Sequence, residues 1–337
     1  MGIVKRSIAL DSVSSMVGLK LIEGELKKLI ANIIDSTVMV LIPRDRNATC
    51  IEVAKDNRYL DCAATGFYID NRVVVTVMHS IQHVDSERIC ILDLDGDIVE
   101  GEIMDVDPKW DLMFISSVSD HSPIPLKDST ASIGDFVIAC GTAYGLLRPF
   151  LSVGIVSGSE IKADAGYGLI EGLLLVSLPI LSGMSGSPIV DLDGTAVGMI
   201  MAKAFDANEF SLAIPSTRIL YGYRILKKYG RIAHIVLGVS VLALRGMITA
   251  LGLQHGLVIS RILNPNILKF CKLNDGDVLL SINDREMRTI EDLRLALDET
   301  LLNNGTLTIE YLSRMDKKVY SCTIDELTMF TSPRPFQ

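Results

Sequence analysis

Three short segments of the sequence could together perform acyl transfer. Val73-Val74-Val75-Thr76-Val77-Met78-His79-Ser80 is an apolar run that ends on a histidine. Asp107-Pro108-Lys109-Trp110-Asp111-Leu112-Met113 is a turn that sets an aspartate at the head of another apolar run. Gly183-Met184-Ser185-Gly186-Ser187-Pro188 is a Gly-rich turn between two more. A serine hydroxyl is a poor nucleophile at neutral pH and needs an adjacent base. His79 would take the proton of Ser185 and later give it to the leaving amine, while Asp111 would hold the imidazole in one tautomer. The tetrahedral oxyanion needs preorganised backbone donors, and glycine beside the serine lets the Gly183 and Ser185 N–H groups converge.

Taken singly, each residue has an ordinary reading: a structural histidine, a capping aspartate, a serine in a turn. The joint pattern carries the inference, because the three follow the order His, Asp, Ser, each at the edge of an apolar stretch. Other chemistries fit less well. His79 and His83 have the i, i+4 spacing of a zinc helix but lack the intervening Glu base and follow a β-type run. Gly183-x-Ser185-x-Ser187 breaks the G-x-S-x-G elbow at its last position, and the order opposes the Ser, acid, His order of that fold. Gly166-x-Gly168-x-x-x-Gly172 misses the dinucleotide spacing by one residue. No metal site and no cofactor are implied.

The elements that must position these residues are mainly β. After Thr37, short β-branched runs separated by turn residues follow one another: VMVLI, GFYI, RVVVTV, ICILDL, IVEGEIM and LMFISS. From about residue 126 the same texture repeats with FVIAC, VGIVSG, LIEGLLLVS, PIVDL, AVGMIM and FSLAIP. Many short strands at regular spacing predict antiparallel barrels rather than βαβ units, and two similar halves predict two barrels. Before them, residues 18–34 place Leu19, Ile22, Leu26, Leu29, Ile30 and Ile33 on one helical face. After them, Ser216 is read as the N-cap of a helix that Gly230 stops. A smaller α+β module begins near residue 232, with a helix over 289–300 opened by a Thr289/Asp292 capping box. Residues 327–337 read as a loose tail.

Composition sets outer bounds. Of 337 residues, 49% are hydrophobic and 22% charged, enough apolar material for real cores. The net charge of -9, without a Lys/Arg run, argues against a nucleic-acid partner. The mean hydropathy of +0.36 prompts a search for membrane spans. The longest uncharged apolar stretches, 173–184 and 232–244, fall short of the ~18–20 residues a spanning helix needs. The six cysteines show no C-x-x-C pair. Free buried thiols are therefore expected, with a Cys50–Cys62 bridge as the one alternative. The first fifteen residues do not read as a signal peptide, so a reducing, cytoplasmic setting is expected.

The sequence resembles the HtrA/Deg family of trypsin-like serine proteases. The resemblance is carried by ATGFYI (64–69), DPKWDL (107–112), IGDFVIACGTAYGL (133–146), VGIVSG (153–158), the serine turn and FSLAIPS (210–216). VLGV (236–239) and LNDGDVLLSIN (273–283) extend it into the C-terminal module. It implies a chymotrypsin-like double β-barrel followed by one PDZ domain. The expected divisions are an N-terminal segment 1–34, a protease domain 35–230, a PDZ domain 231–326 and a tail 327–337. It also implies an endopeptidase acting on unfolded or partly unfolded proteins in quality control, assembled as a homotrimer or a multiple of one, with residues 18–34 at or near the contact. In such a fold the specificity pocket is built just before the serine and on the strand after it. Here that means Ile180, Leu181, Met199 and Met201, which suits small to medium aliphatic side chains. The Val236-Leu237-Gly238-Val239 loop would hold the carboxylate of a peptide C-terminus.

Three positions depart from the family pattern: Met78 where a small residue precedes the histidine, Met184 in place of Asn or Asp, and Ser187 in place of glycine. They sustain two rivals to an active protease. One is a protease-like fold that only binds peptides; the other is an oligomeric chaperone or scaffold with weak activity.

Overall fold

The computed structural model describes residues 4–45, 47–56, 58, 60–81, 88–164, 168–204, 209–303 and 305–325, excepting the side chains of 4–19, 61, 62, 81, 88 and 147. Two compact units emerge, Met1–Leu220 and Tyr221–Gln337. His83 and the 327–337 tail lie outside the described residues.

The first unit opens with helix α1 (Val4–Ser36), which starts well before residue 18. Its apolar stripe is only partly covered: Ile33 is buried, while Leu21 and Ile22 stand exposed. Strands β1 (Thr37–Pro43), β2 (Leu60–Asp70), β3 (Val73–Val77), β4 (Arg88–Asp93), β5 (Ile98–Asp107) and β6 (Leu112–Ser117) close into a barrel in the order β1-β2-β3-β6-β5-β4. The two-residue period of a strand sorts β1 cleanly. Val38, Val40 and Ile42 enter the barrel core with Tyr68, Val74, Met113 and Ile115. Met39 and Leu41 face the other way, into a cluster with Cys50, Val53, Cys90 and Leu92. Both faces are thus buried, which is why β1 reads as an unbroken apolar run.

A second closed barrel, β10-β11-β12-β9-β8-β7, follows. Its strands are β7 (Phe136–Ala143), β8 (Leu146–Asp164), β9 (Leu169–Ser177), β10 (Pro188–Val190), β11 (Ala196–Lys203) and β12 (Ser211–Pro215). The chain leaves through helix α3 (Ser216–Tyr229), α2 being the short helix Cys50–Lys55 in the first barrel. Ser216 does not cap α3 with its side chain; its hydroxyl donates to the Lys127 carbonyl at 2.8 Å.

The second unit holds a sheet ordered β13-β14-β15-β17-β18, with β16 on β15. Its strands are β13 (Val239–Leu242), β14 (Leu257–Ile262), β15 (Val278–Ile282), β16 (Arg285–Glu286), β17 (Leu307–Leu312) and β18 (Val319–Ile324). Helices α4 (Arg245–Ala250) and α5 (Ile290–Leu302) complete it, and Thr289 with Asp292 forms the capping box of α5.

The cysteines correct the sequence reading. Cys50 is bonded to Cys90, not to Cys62, and Cys271 to Cys322. Cys140 is buried and unbonded. The pairings join residues 40 and 51 positions apart. The packing of α2 on β4 brings the first pair together, and local spacing carries no trace of it.

Candidate active site

Pairing of β3 with β6 sets Val77 opposite Leu112, so the residues just beyond, Met78-His79 and Asp111, meet at one end of the first barrel. Asp111 is fully buried and adopts a left-handed backbone, φ 56. Such a conformation costs a non-glycine residue on the order of 1–3 kcal/mol and persists only where its surroundings hold it. Here they do. The Asp111 carbonyl accepts from Met78 N at 3.1 Å, Oδ1 accepts from His79 N at 2.7 Å, and Oδ2 lies 2.7 Å from His79 Nδ1. The acid therefore holds both the backbone and the ring of His79. The His79 side chain is 29% exposed, open enough to meet a substrate.

Ser185 comes from the second barrel, in the turn leading into β10. Gly183 has φ 97 and Gly186 φ 90, which glycine adopts without strain. The Ser182 carbonyl accepts from Tyr144 N at 2.7 Å, and the Met184 carbonyl from Ser187 N at 3.0 Å. In a trans peptide the N–H points opposite to the carbonyl it shares a plane with. Both bonds therefore turn the Gly183 and Ser185 N–H groups away from the Tyr144 and Ser187 donors. Among the described residues neither donates to a protein acceptor. Two preset, unengaged N–H groups flanking a serine are what an oxyanion site requires.

A residue absent from the sequence reading joins the two barrels at this point. Thr65 N donates to the Ser185 carbonyl at 2.9 Å, and Thr76 Oγ1, three residues before His79, donates to the Thr65 carbonyl at 2.6 Å. The Thr65 hydroxyl donates to the Gly183 carbonyl at 2.8 Å and accepts from Thr142 N at 2.9 Å. Thr65 lies within the ATGFYI motif, but nothing in its local pattern signals this role.

Residues 64–199, which contain all three of His79, Asp111 and Ser185, match the model of the trypsin-like peptidase domain. Among curated relatives, "Probable periplasmic serine endoprotease DegP-like" of Rickettsia prowazekii is 26% identical over 264 residues, covering 75% of this chain and 51% of its own length. Human "Serine protease HTRA4" is 25% identical over 272 residues, covering 73% of this chain and 55% of its own. The chain spans about half the length of these relatives. The solved structure "HtrA-type protease AlgW with tripeptide" superposes with a TM-score of 0.69 at 18% identity, covering 88% of this chain and 95% of that one. The chain is thus similar to HtrA-type serine proteases, and residues 64–199 to the trypsin-like peptidase domain. Its fold is the mainly β one that the HtrA resemblance implies.

The relatives also overturn the expected cytoplasmic setting. They include proteins named periplasmic in Rickettsia and Chlamydia and mitochondrial in Drosophila, and two disulfides stand in this structure. Disulfides persist in oxidising compartments.

The three departures from the HtrA pattern have distinct places. Met78 is buried in the core of the first barrel and Met184 in that of the second, where its sulfur faces Leu181 N at 3.4 Å. Both side chains therefore point into cores. Ser187 is fully buried without a left-handed φ, so it does not strain the turn as a glycine-requiring position would. Its hydroxyl lacks a hydrogen-bond partner and faces Gly141, where a Cβ would come within 1.9 Å of it.

Of the residues read as pocket walls, Ile180 joins the second barrel's core cluster and Leu181 packs against it; Met199 and Met201 on β11 are buried. β11 runs beside the serine turn, with Gly186 N donating to the Ile200 carbonyl and Ile200 N to the Ser187 carbonyl. In the second unit, Gly238 has φ 70 and its carbonyl accepts from Leu263 N and Asn264 N at 2.7 and 2.9 Å. Leu237 is buried, Val236 is half-exposed, and Val239 opens β13. Among the described residues β13 pairs with β14 alone, so its outer edge is open.

Proposed function

We propose that this chain is a serine endopeptidase acting on unfolded or partly unfolded proteins. Ser185 Oγ attacks the scissile carbonyl carbon as its proton passes to His79 Nε2. Asp111 holds the imidazolium, and the Gly183 and Ser185 N–H groups receive the oxyanion. Collapse breaks the C–N bond and the amine leaves with the proton from His79. Water then repeats the cycle on the acyl-enzyme and returns Ser185. The observation that carries the reading is the double hold of Asp111 on His79 beside a serine turn whose two N–H groups are unengaged. The relatives named serine endoproteases and the peptide-bound AlgW neighbour support it. A fluorophosphonate probe should label the wild-type chain at Ser185 and leave Ser185→Ala unlabelled. Absence of labelling in a folded wild-type chain would favour the peptide-binding scaffold instead.

Ile180, Leu181, Met199 and Met201 form an apolar pocket for small to medium aliphatic side chains, since a Lys or Arg there would be buried unpaired; cleavage profiling that favours basic residues would overturn this. The module 231–326 is a PDZ domain that adds a peptide strand to the open edge of β13 and holds its terminal carboxylate at Val236–Val239. Equal affinity for free-acid and amidated peptides would exclude that. The chain assembles as a homotrimer or a multiple of one. The exposed Leu21, Ile22 and Leu192 line a groove of about 960 Å³ that a neighbour would cover. Light scattering showing a monomer would refute it.

A further inference from the structure

Gly183 must present its N–H to the oxyanion, yet glycine is the residue whose flanking peptide planes rotate most freely. One plane is pinned by Tyr144 N on the Ser182 carbonyl. The other contains the Gly183 carbonyl, and the group on it is the Thr65 hydroxyl at 2.8 Å. That hydroxyl is itself aimed. It accepts from Thr142 N at 2.9 Å, and of the three oxygens within reach of its single proton the Gly183 carbonyl at 2.8 Å is nearest, ahead of Thr142 Oγ1 at 3.1 Å and the Thr142 carbonyl at 3.4 Å. Thr65 is fully buried, and its backbone N–H and carbonyl are engaged with Ser185 and Thr76. A β-branched side chain is restricted at χ1, and the hydroxyl is further held by its bonds to Thr142 and Gly183. Thr65 lies in β2, in the first barrel, and Gly183 in the second, so the contact also spans the two halves of the site.

We infer that Thr65 is a positioning residue for the reaction: its hydroxyl fixes the Gly183–Met184 peptide plane and so holds the oxyanion loop in its working conformation. The inference rests on the reading of Ser185 as nucleophile. It differs from a purely structural role in one respect. A structural hydroxyl sets how much protein is folded, whereas this one sets how well the folded protein stabilises a tetrahedral adduct.

The experiment compares wild type, Thr65→Val, Thr65→Ser and Ser185→Ala, each checked for folding by circular dichroism. Peptide hydrolysis gives kcat and KM, and inhibition is measured with a peptidyl boronate, whose tetrahedral adduct occupies the oxyanion site, and with the cleaved product peptide. Removing one oxyanion donor typically costs ~10²–10³ in kcat, and a loosened donor should cost at least ~10-fold. Thr65→Val should lower kcat by that factor with KM nearly unchanged and weaken the boronate in parallel, while product-peptide affinity holds. Thr65→Ser should restore all of these. A folded Thr65→Val with wild-type kcat and boronate affinity would overturn the assignment while leaving the nucleophile reading intact. A wild type that neither hydrolyses peptide nor binds boronate better than Ser185→Ala would overturn both. If Thr65→Val does not fold, Thr65→Ala removes the same hydroxyl with less bulk. Failure of both to fold beside a folded Thr65→Ser would assign the hydroxyl to folding and overturn the positioning role.

Discussion

Both carboxylate oxygens of Asp111 engage His79, Oδ1 through the backbone N–H and Oδ2 at Nδ1, each at 2.7 Å. Asparagine at this position keeps one acceptor and must turn its NH2 toward one of two donors. The imidazole then loses its tautomer or its backbone anchor. Asp111→Asn should retain the fold and lower kcat on the order of 10³–10⁴-fold, as expected for a triad with a misoriented base. Single-turnover kinetics checks it, and a loss under tenfold would remove Asp111 from the triad.

Gly186 tolerates no side chain. A Cβ there would lie 1.8 Å from the Thr65 carbonyl oxygen and 2.5 Å from Thr76 Oγ1, and φ is 90. The nearest obstacle is backbone, so nothing flexible can give way. Gly186→Ala should abolish peptide cleavage and destabilise the chain by about 2–3 kcal/mol, from backbone strain and displacement of the turn. Denaturant unfolding together with an activity assay reads both.

Ser187 is the converse case, a position where removing atoms should help. Its buried hydroxyl lacks a hydrogen-bond partner. An unpaired buried polar group costs about 1–3 kcal/mol. Ser187→Ala should raise the thermal midpoint, with a gain of roughly 1 kcal/mol once the lost packing is subtracted. A lowered midpoint would mean that the hydroxyl is satisfied in solution.

The Cys50–Cys90 bond closes a separation of 40 residues across the outer cluster of the first barrel. On the chain-entropy account such a link stabilises by ~2–4 kcal/mol. The double variant Cys50→Ser/Cys90→Ser should lose about that much, and added reductant should then have a smaller effect on it than on the wild type. Denaturation with and without dithiothreitol makes the comparison.

Burial pushes the Cys140 thiol up to about 12, against a smaller opposing effect of its hydrogen bond with Thr37. The folded state therefore resists ionisation that the unfolded chain undergoes near pH ~8.5. Because the folded value is raised, this contribution to stability is complete below the unfolded pKa and declines as pH climbs from there toward about 12. Native protein at pH 8 should react with iodoacetamide far more slowly than denatured protein. Between pH 9 and 11 the wild type should lose more stability than Cys140→Ala.

Much of the barrel architecture was legible because the strands are apolar runs bounded by turns, and such a run commits a segment to burial on at least one face. His79, Asp111 and Ser185 stand out as candidates for a related reason: each ends or begins such a run, where a sheet delivers side chains to its rim. What escaped depends on contacts between distant segments. Helix α2 carries its own capping box, Thr49 with Glu52, but six residues are too few to show a helical period. The partners of Cys50 and Cys271 depend on tertiary packing. Ser216 looks like a cap and bonds instead to Lys127, 89 positions away. Thr65 has an unremarkable side chain on an apolar strand, and its importance appears only when three strands meet.

Each barrel closes on itself and carries its own core, yet the candidate groups are divided, His79 and Asp111 on one and Ser185 on the other. On the proposed reading, turnover therefore depends on the alignment of two self-closed barrels and not on the integrity of either alone. On that reading activity would be lost by misalignment with both cores intact, and the bonds of Thr65 to Ser185, Gly183 and Thr142 are among those that hold the alignment.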